Sequence, residues 1–264
     1  MVGGNHVREL FQMWSNTRMV VLTAMCAALY AAILIPFKIV PLIPGITEFR
    51  PANAVPVVCS FLFGPAAAWG AAFGNVIGDF FGGLGPGDVF GFLGNLLYGL
   101  LPYTVWEALT DREPVPRGVG VSLALAAVIA LAAMLCATVI GWGLNLLRFH
   151  AFTVLGSIVL LNNLVVALAL APFLLAVLYP RVKRARLLYR DLLGPRAPVP
   201  RWRALAGVLL VAGGTIGAFV LGQLISTGRW QPPWAPWETP SRGIEVGVGL
   251  IPPLAVAIIG LALL

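Results

Sequence analysis

The chain has 264 residues, 59% of them hydrophobic and only 10% charged, with a net charge of +7 and a mean hydropathy of +0.93. That mixture excludes a water-soluble globular domain and predicts an all-α fold, a polytopic bundle of membrane helices in a lipid bilayer. Eight of the seventeen basic residues sit in one loop beside a membrane segment, where topology explains them better than a nucleic-acid partner does.

Arg8, Glu9 and Arg18 precede the first apolar run, 19–42, which continues through Pro36 and Lys38 with no small-residue cleavage pattern, so no removable signal peptide is expected. Ala24, Ala28 and Ala32 recur at intervals of four along this span, with Ala27 and Ala31 beside them. Such a stripe makes a flat face for another helix, inside the chain or in a partner. The outer loop then closes as Glu48-Phe49-Arg50-Pro51-Ala52-Asn53, where Pro51 suits the first position of a helix.

Residues 51–109 form a long apolar stretch broken at Gly64-Pro65 and at Gly82 to Gly87. Glycine and proline together at two points divide it into three segments, 51–63, 66–82 and 87–109, the first two short. The middle segment carries Gly70, Gly74, Gly78 and Gly82, a ladder with the four-residue spacing that lets helix backbones approach closely in lipid. The ladder is expected to face the 87–109 helix, whose Gly87, Gly91 and Gly99 keep the same spacing. Asn75 and Asp79 stack beside it. An intramembrane carboxylate is costly, so Asp79 is a candidate site residue.

Further spans are expected at 119–146, 151–179, 204–226 and 244–264, giving eight in all. Arg181, Lys183, Arg184, Arg186, Arg190, Arg196, Arg201 and Arg203 crowd residues 181–203 and mark that loop as cytoplasmic. Both termini are then cytoplasmic as well, in a multi-pass protein of the cell membrane. Prolines among the arginines make 190–203 a linker between a six-helix unit, 1–189, and an accessory transmembrane hairpin, 204–264. The hairpin's outer loop holds Trp230, Trp234 and Trp237, read chiefly as headgroup anchors.

The remaining polar groups define a cup open to the outside. Arg50, Asn53, Asp79 and Asp88 are expected near the outer face, with Asn75, Asn95 and Asn162 a turn or more deeper and Asn163 beside Asn162. Each buried amide needs a partner, so helix capping and interhelical bonding compete with ligand binding as roles, and Asp88 is read first as a helix cap. Catalytic signals are weak. Cys26, Cys59 and Cys136 stand singly, His6 and His150 have no ligand spacing, and no nucleophile elbow, zinc motif or phosphate loop occurs, so no metal and no cofactor are expected.

Six helices, the alanine stripe, the Glu48-Phe49-Arg50-Pro51-Ala52-Asn53 entry and the run from Phe63-Gly64-Pro65 through Gly70, Gly74, Asn75 and Gly78 resemble the substrate-binding S component of an energy-coupling factor (ECF) transporter. The entry and the glycine-rich helix are most similar to the branch proposed to import queuosine precursors. The resemblance covers roughly 19–180. It implies a non-enzymatic subunit that binds a vitamin or similar micronutrient under a first-loop lid. A transmembrane coupling protein and two ATPase subunits would supply the drive. It also implies that Ala24, Ala28 and Ala32 dock the coupling protein, and that Glu48, Arg50, Asn95 and Asn162 or Asn163 contact substrate. Two other readings remain: a self-sufficient ion-coupled carrier built around Asp79, and an intramembrane lipid-modifying enzyme.

Overall fold

The computed structural model describes residues 6–37, 41–43, 47–48, 50–194, 199–235 and 242–264. Among these, a short helix α1 (His6–Gln12) leads through a 3-10 turn into α2 (Thr17–Phe37). A small antiparallel pair, β1 (Pro41–Ile43) and β2 (Thr47–Glu48), follows, and a second 3-10 turn (Pro51–Asn53) opens α3 (Ala54–Phe63). The remaining helices are α4 (Pro65–Phe80), α5 (Asp88–Leu109), α6 (Val119–Leu146), α7 (Phe152–Arg184), α8 (Tyr189–Leu193), α9 (Arg201–Ser226), α10 (Arg242–Gly249) and α11 (Ile251–Leu263). The all-α membrane bundle read from composition is the observed fold.

Among the described residues, six helical stretches are long and apolar enough to span a bilayer: Thr17–Phe37, Asp88–Leu109, Val119–Leu146, Phe152–Leu193, Arg201–Ser226 and Ile244–Leu263. The two short segments expected between 51 and 82 are α3 and α4, with 10 and 16 residues. At about 1.5 Å per residue neither matches a hydrocarbon core of about 30 Å. Every residue of α3 is buried, so this helix is interior to the bundle and never meets lipid.

Close approaches between helices fix their directions. A Cβ added at Gly70 would lie 2.4 Å from Cys26 Cβ, one at Gly74 2.8 Å from the Ala27 carbonyl, and one at Gly78 2.4 Å from Leu34. The contacts advance together along both chains, so α4 runs parallel to α2, which requires α3 to return between them. Gly64 makes that return possible with φ +53°, against the ring of Tyr189. The ladder therefore faces α2, which corrects the expectation that it faces the 87–109 helix; Gly82 lies in the turn beyond α4. The α4–α5 contact uses other small residues. Gly99 sits against Ala67 and Ala68, and Gly91 against Asn75, in antiparallel order.

The alternation continues through the chain. Gly94 meets Ile140 on α6, Gly141 meets Gly156 on α7, and Gly222 on α9 meets Phe152. Gly207 and Gly214 bring α11 back along α9 against Gly260 and Ala257. Eight segments thus alternate in direction, and the Arg112–Arg117 turn, α8, α1 and the end of α11 share one end of the bundle, hereafter the basic end. The α9–α11 pair leans on α6 and α7, where Trp142 Nε1 donates to the Gly247 carbonyl at 2.8 Å and Gln223 Nε2 to Ser157 Oγ at 3.0 Å. At the opposite end Trp230 and Trp234 are partly exposed and pair edge to face; Trp237 lies outside the described residues.

Candidate functional site

Halving α3 leaves its start, at Asn53, in the middle of the bundle instead of at the outer face. The chain entering from β2 must therefore dip inward, and Pro51, which has no N–H to satisfy, leads the 3-10 turn that does so. Asn53 is buried there and meets groups from two other helices. Its Nδ2 donates to Asn163 Oδ1 on α7 at 2.5 Å, and its Oδ1 lies 3.2 Å from the Tyr30 hydroxyl on α2. The same hydroxyl lies 3.2 Å from Asn95 Oδ1 on α5. Asn95 Nδ2 donates to the Gly91 carbonyl one turn outward, at 2.9 Å, and the Tyr98 hydroxyl donates to the Asn163 carbonyl at 3.4 Å.

Gly91 links this knot to the second polar pair. With no side chain at that position, Asn75 Nδ2 comes within 2.9 Å of where a Cβ would stand, and Asn75 itself donates to Asp79 Oδ2 at 2.5 Å. The result is a polar seam from Asp79 through Asn75, Gly91, Asn95 and Tyr30 to Asn53 and Asn163, its side chains buried and only Gly91 of these residues partly exposed. Asn162 is also buried on the adjoining turn of α7. Arg50 stands half-buried at the mouth of α3, within electrostatic reach of Tyr30, which also feels Asp79. The Glu48 backbone closes β2, and its side chain lies outside the described residues.

The expected depths need one correction. Asn53 lies at the level of Asn95 and Asn163, not above them, because the short α3 begins at mid-depth. Asp88 is separate from the seam: its carboxylate accepts from the Gly85 N–H at 2.6 Å and closes the turn before α5. Tyr30, the residue on which the amides converge, carries no sequence signal of its own, since a tyrosine in an apolar helix reads as packing.

The seam is rich in acceptors. One hydroxyl proton faces two amide oxygens at Tyr30, and Asn75 Oδ1 is buried with no hydrogen-bond partner among the described residues. Exchanging O and N on Asn95 would set its oxygen against the Gly91 carbonyl, and on Asn53 against Asn163 Oδ1, so neither single rotation cures the shortage. A buried acceptor without a donor costs about 1–3 kcal/mol. A bound molecule presenting N–H or O–H groups would recover that loss. No group of three potential metal ligands occurs among the described residues.

Ala24, Ala28 and Ala32 are exposed on the face of α2 opposite Tyr30, together with Val21, Met25 and Leu29, whereas Ala27 and Ala31 are buried against α4. The C-terminal helices rest on the other side of the bundle and leave this face open. At the basic end, Glu107 gathers a different polar cluster. It accepts from the Tyr189 hydroxyl and from Arg190 Nε, the latter at 2.7 Å, and lies 3.6 Å from His6 Nε2.

No curated protein and no solved structure matches the chain. A family model described as QueT transporter matches residues 20–180, which takes in α2 to α7 and all of the seam. With more than half of its length covered by that model, the chain belongs to the QueT transporter family.

Proposed function

We propose that this member of a membrane transporter family is the substrate-binding subunit of an ATP-driven importer of a micronutrient, a vitamin or nucleobase derivative such as a queuosine precursor. The observation that carries the reading is the acceptor excess of the seam: the orphaned Asn75 Oδ1 at one end and the doubly approached Tyr30 hydroxyl at the other. A flat polar heterocycle bearing N–H groups answers that excess. Arg50 stands over it, and Asn53, Asn75, Asp79, Asn95, Asn162 and Asn163 contribute the walls. Glu48 belongs to the loop that closes the site.

The basic end is cytoplasmic in this reading, as the retained arginines and lysine favour. Ala24, Ala28 and Ala32 dock a separate transmembrane coupling protein, and ATP is hydrolysed by two further subunits. The 1–189 unit holds substrate, and 190–203 links it to the accessory hairpin.

The test is binding by the purified chain. A thermal-shift screen of vitamins and nucleobase derivatives should yield a ligand. Arg50→Ala and Asn163→Ala should each lower its affinity about tenfold or more, the worth of one charge-assisted or buried hydrogen bond. Unchanged affinity in both variants would remove the seam as the site.

A further inference from the structure

The basic end holds a cavity unrelated to the seam. It encloses about 910 Å³ and is walled by α1, the last turn of α5, α8, the start of α9 and the end of α11. Apart from the end of α5, these elements lie outside the segment matched by the family model, so additions to the core create this space.

Its charges are mixed. Glu9, Glu107 and Asp111 supply carboxylates, and Arg190 and Arg201 supply guanidinium groups. Glu107 is already held by Tyr189 and Arg190. Glu9 lies 3.8 Å from His6 Nδ1, and Asp111 is exposed in the turn after α5. A carboxylate has about four lone-pair positions, so both can accept more donors. Arg201 opens α9 and is exposed. An anion alone would face the carboxylates, and a cation alone would face the arginines. A zwitterion satisfies both.

The level of the cavity identifies the kind of zwitterion. Glu107 lies in the last turn of one span and Arg201 in the first turn of another, which is the headgroup layer. Trp202, 73% exposed beside Arg201, is the residue type that anchors there. Leu109 and Leu205 line the cavity and are themselves exposed, giving an apolar exit on the same rim.

We propose that this cavity binds the headgroup of an amine-bearing zwitterionic phospholipid. The phosphate sits against Arg201, the primary ammonium against Glu9 and Asp111, and the acyl chains leave past Leu109 and Leu205. A quaternary ammonium cannot donate to the carboxylates, and a glycerol headgroup brings no positive charge to them, so the site prefers phosphatidylethanolamine.

The experiment uses the full chain, purified and stripped of lipid in detergent. Retention of phosphatidylethanolamine, phosphatidylcholine and phosphatidylglycerol is measured by native mass spectrometry, and soluble phosphoethanolamine is titrated in thermal unfolding. Phosphatidylethanolamine should be retained about tenfold more tightly than the other two, a difference of about 1.4 kcal/mol. Glu9→Gln and Asp111→Asn should each erase the preference over phosphatidylglycerol, and Arg201→Gln should weaken both lipids. Asp111 is exposed, so its variant keeps the test intact if a change at Glu9 disturbs α1. Equal retention of the three lipids by the unaltered chain, or an undiminished preference in both carboxylate variants, overturns the proposal. Stabilisation by phosphoethanolamine without lipid retention also overturns it, by assigning the cavity to a water-soluble ligand.

Discussion

Tyr30 offers one hydroxyl proton to two amide oxygens, each 3.2 Å away, and those oxygens belong to the start of α3 and the middle of α5. Its ring packs beside Gly74, where an added Cβ would come within 2.9 Å, so the aromatic seat does not depend on the hydroxyl. Tyr30→Phe should therefore fold and lose about 1 kcal/mol of stability, the net value of a buried hydrogen bond. Substrate affinity should fall about tenfold as the amides lose their shared anchor, measured by calorimetric titration beside thermal unfolding. An affinity equal to that of the unaltered chain would mean that the amides hold their positions without it. The amides themselves were legible in the sequence, because a polar side chain in an apolar helix is costly wherever it lies. Tyr30 was not, since nothing in its local sequence tells a packing tyrosine from one on which three helices converge.

Helix α2 has two working faces. The buried one takes the glycine ladder of α4, and the exposed one carries Ala24, Ala28 and Ala32. Gly74→Val would push methyl groups into the Ala27 carbonyl and the Tyr30 ring, an overpacking that costs about 1–3 kcal/mol and should lower the thermal midpoint. A midpoint unchanged by the substitution would mean that α2 and α4 can separate freely. Ala28→Trp, on the opposite face, should leave substrate binding intact and abolish uptake, because the indole blocks the close approach of a partner helix; normal uptake would reject docking there. Spacing alone showed that both faces existed but assigned the ladder to the wrong neighbour. A four-residue repeat records a groove and not which helix fills it. The same limit applies to depth: Gly64-Pro65 marked a break, but only packing shows that α3 starts at mid-bundle and lowers Asn53 to the level of Asn95 and Asn163.

Across the whole molecule, eight segments alternate in direction, and the charge asymmetry that predicted this from sequence agrees with the close approaches that establish it. The C-terminal pair lies beyond the family match, packs against α6 and α7 and leaves the alanine face of α2, the face proposed for docking, exposed. The sequence carries no phosphate-loop motif, and the Asp79 carboxylate is engaged by Asn75 at 2.5 Å. In the proposed function the seam holds substrate and another protein moves it. The most direct measurement is uptake of the bound nucleobase derivative or vitamin into proteoliposomes containing this chain, with and without the coupling protein and ATPase subunits. Accumulation only when all components and ATP are present is the predicted result. Accumulation by this chain alone under a proton or sodium gradient would contradict it and identify a self-sufficient carrier.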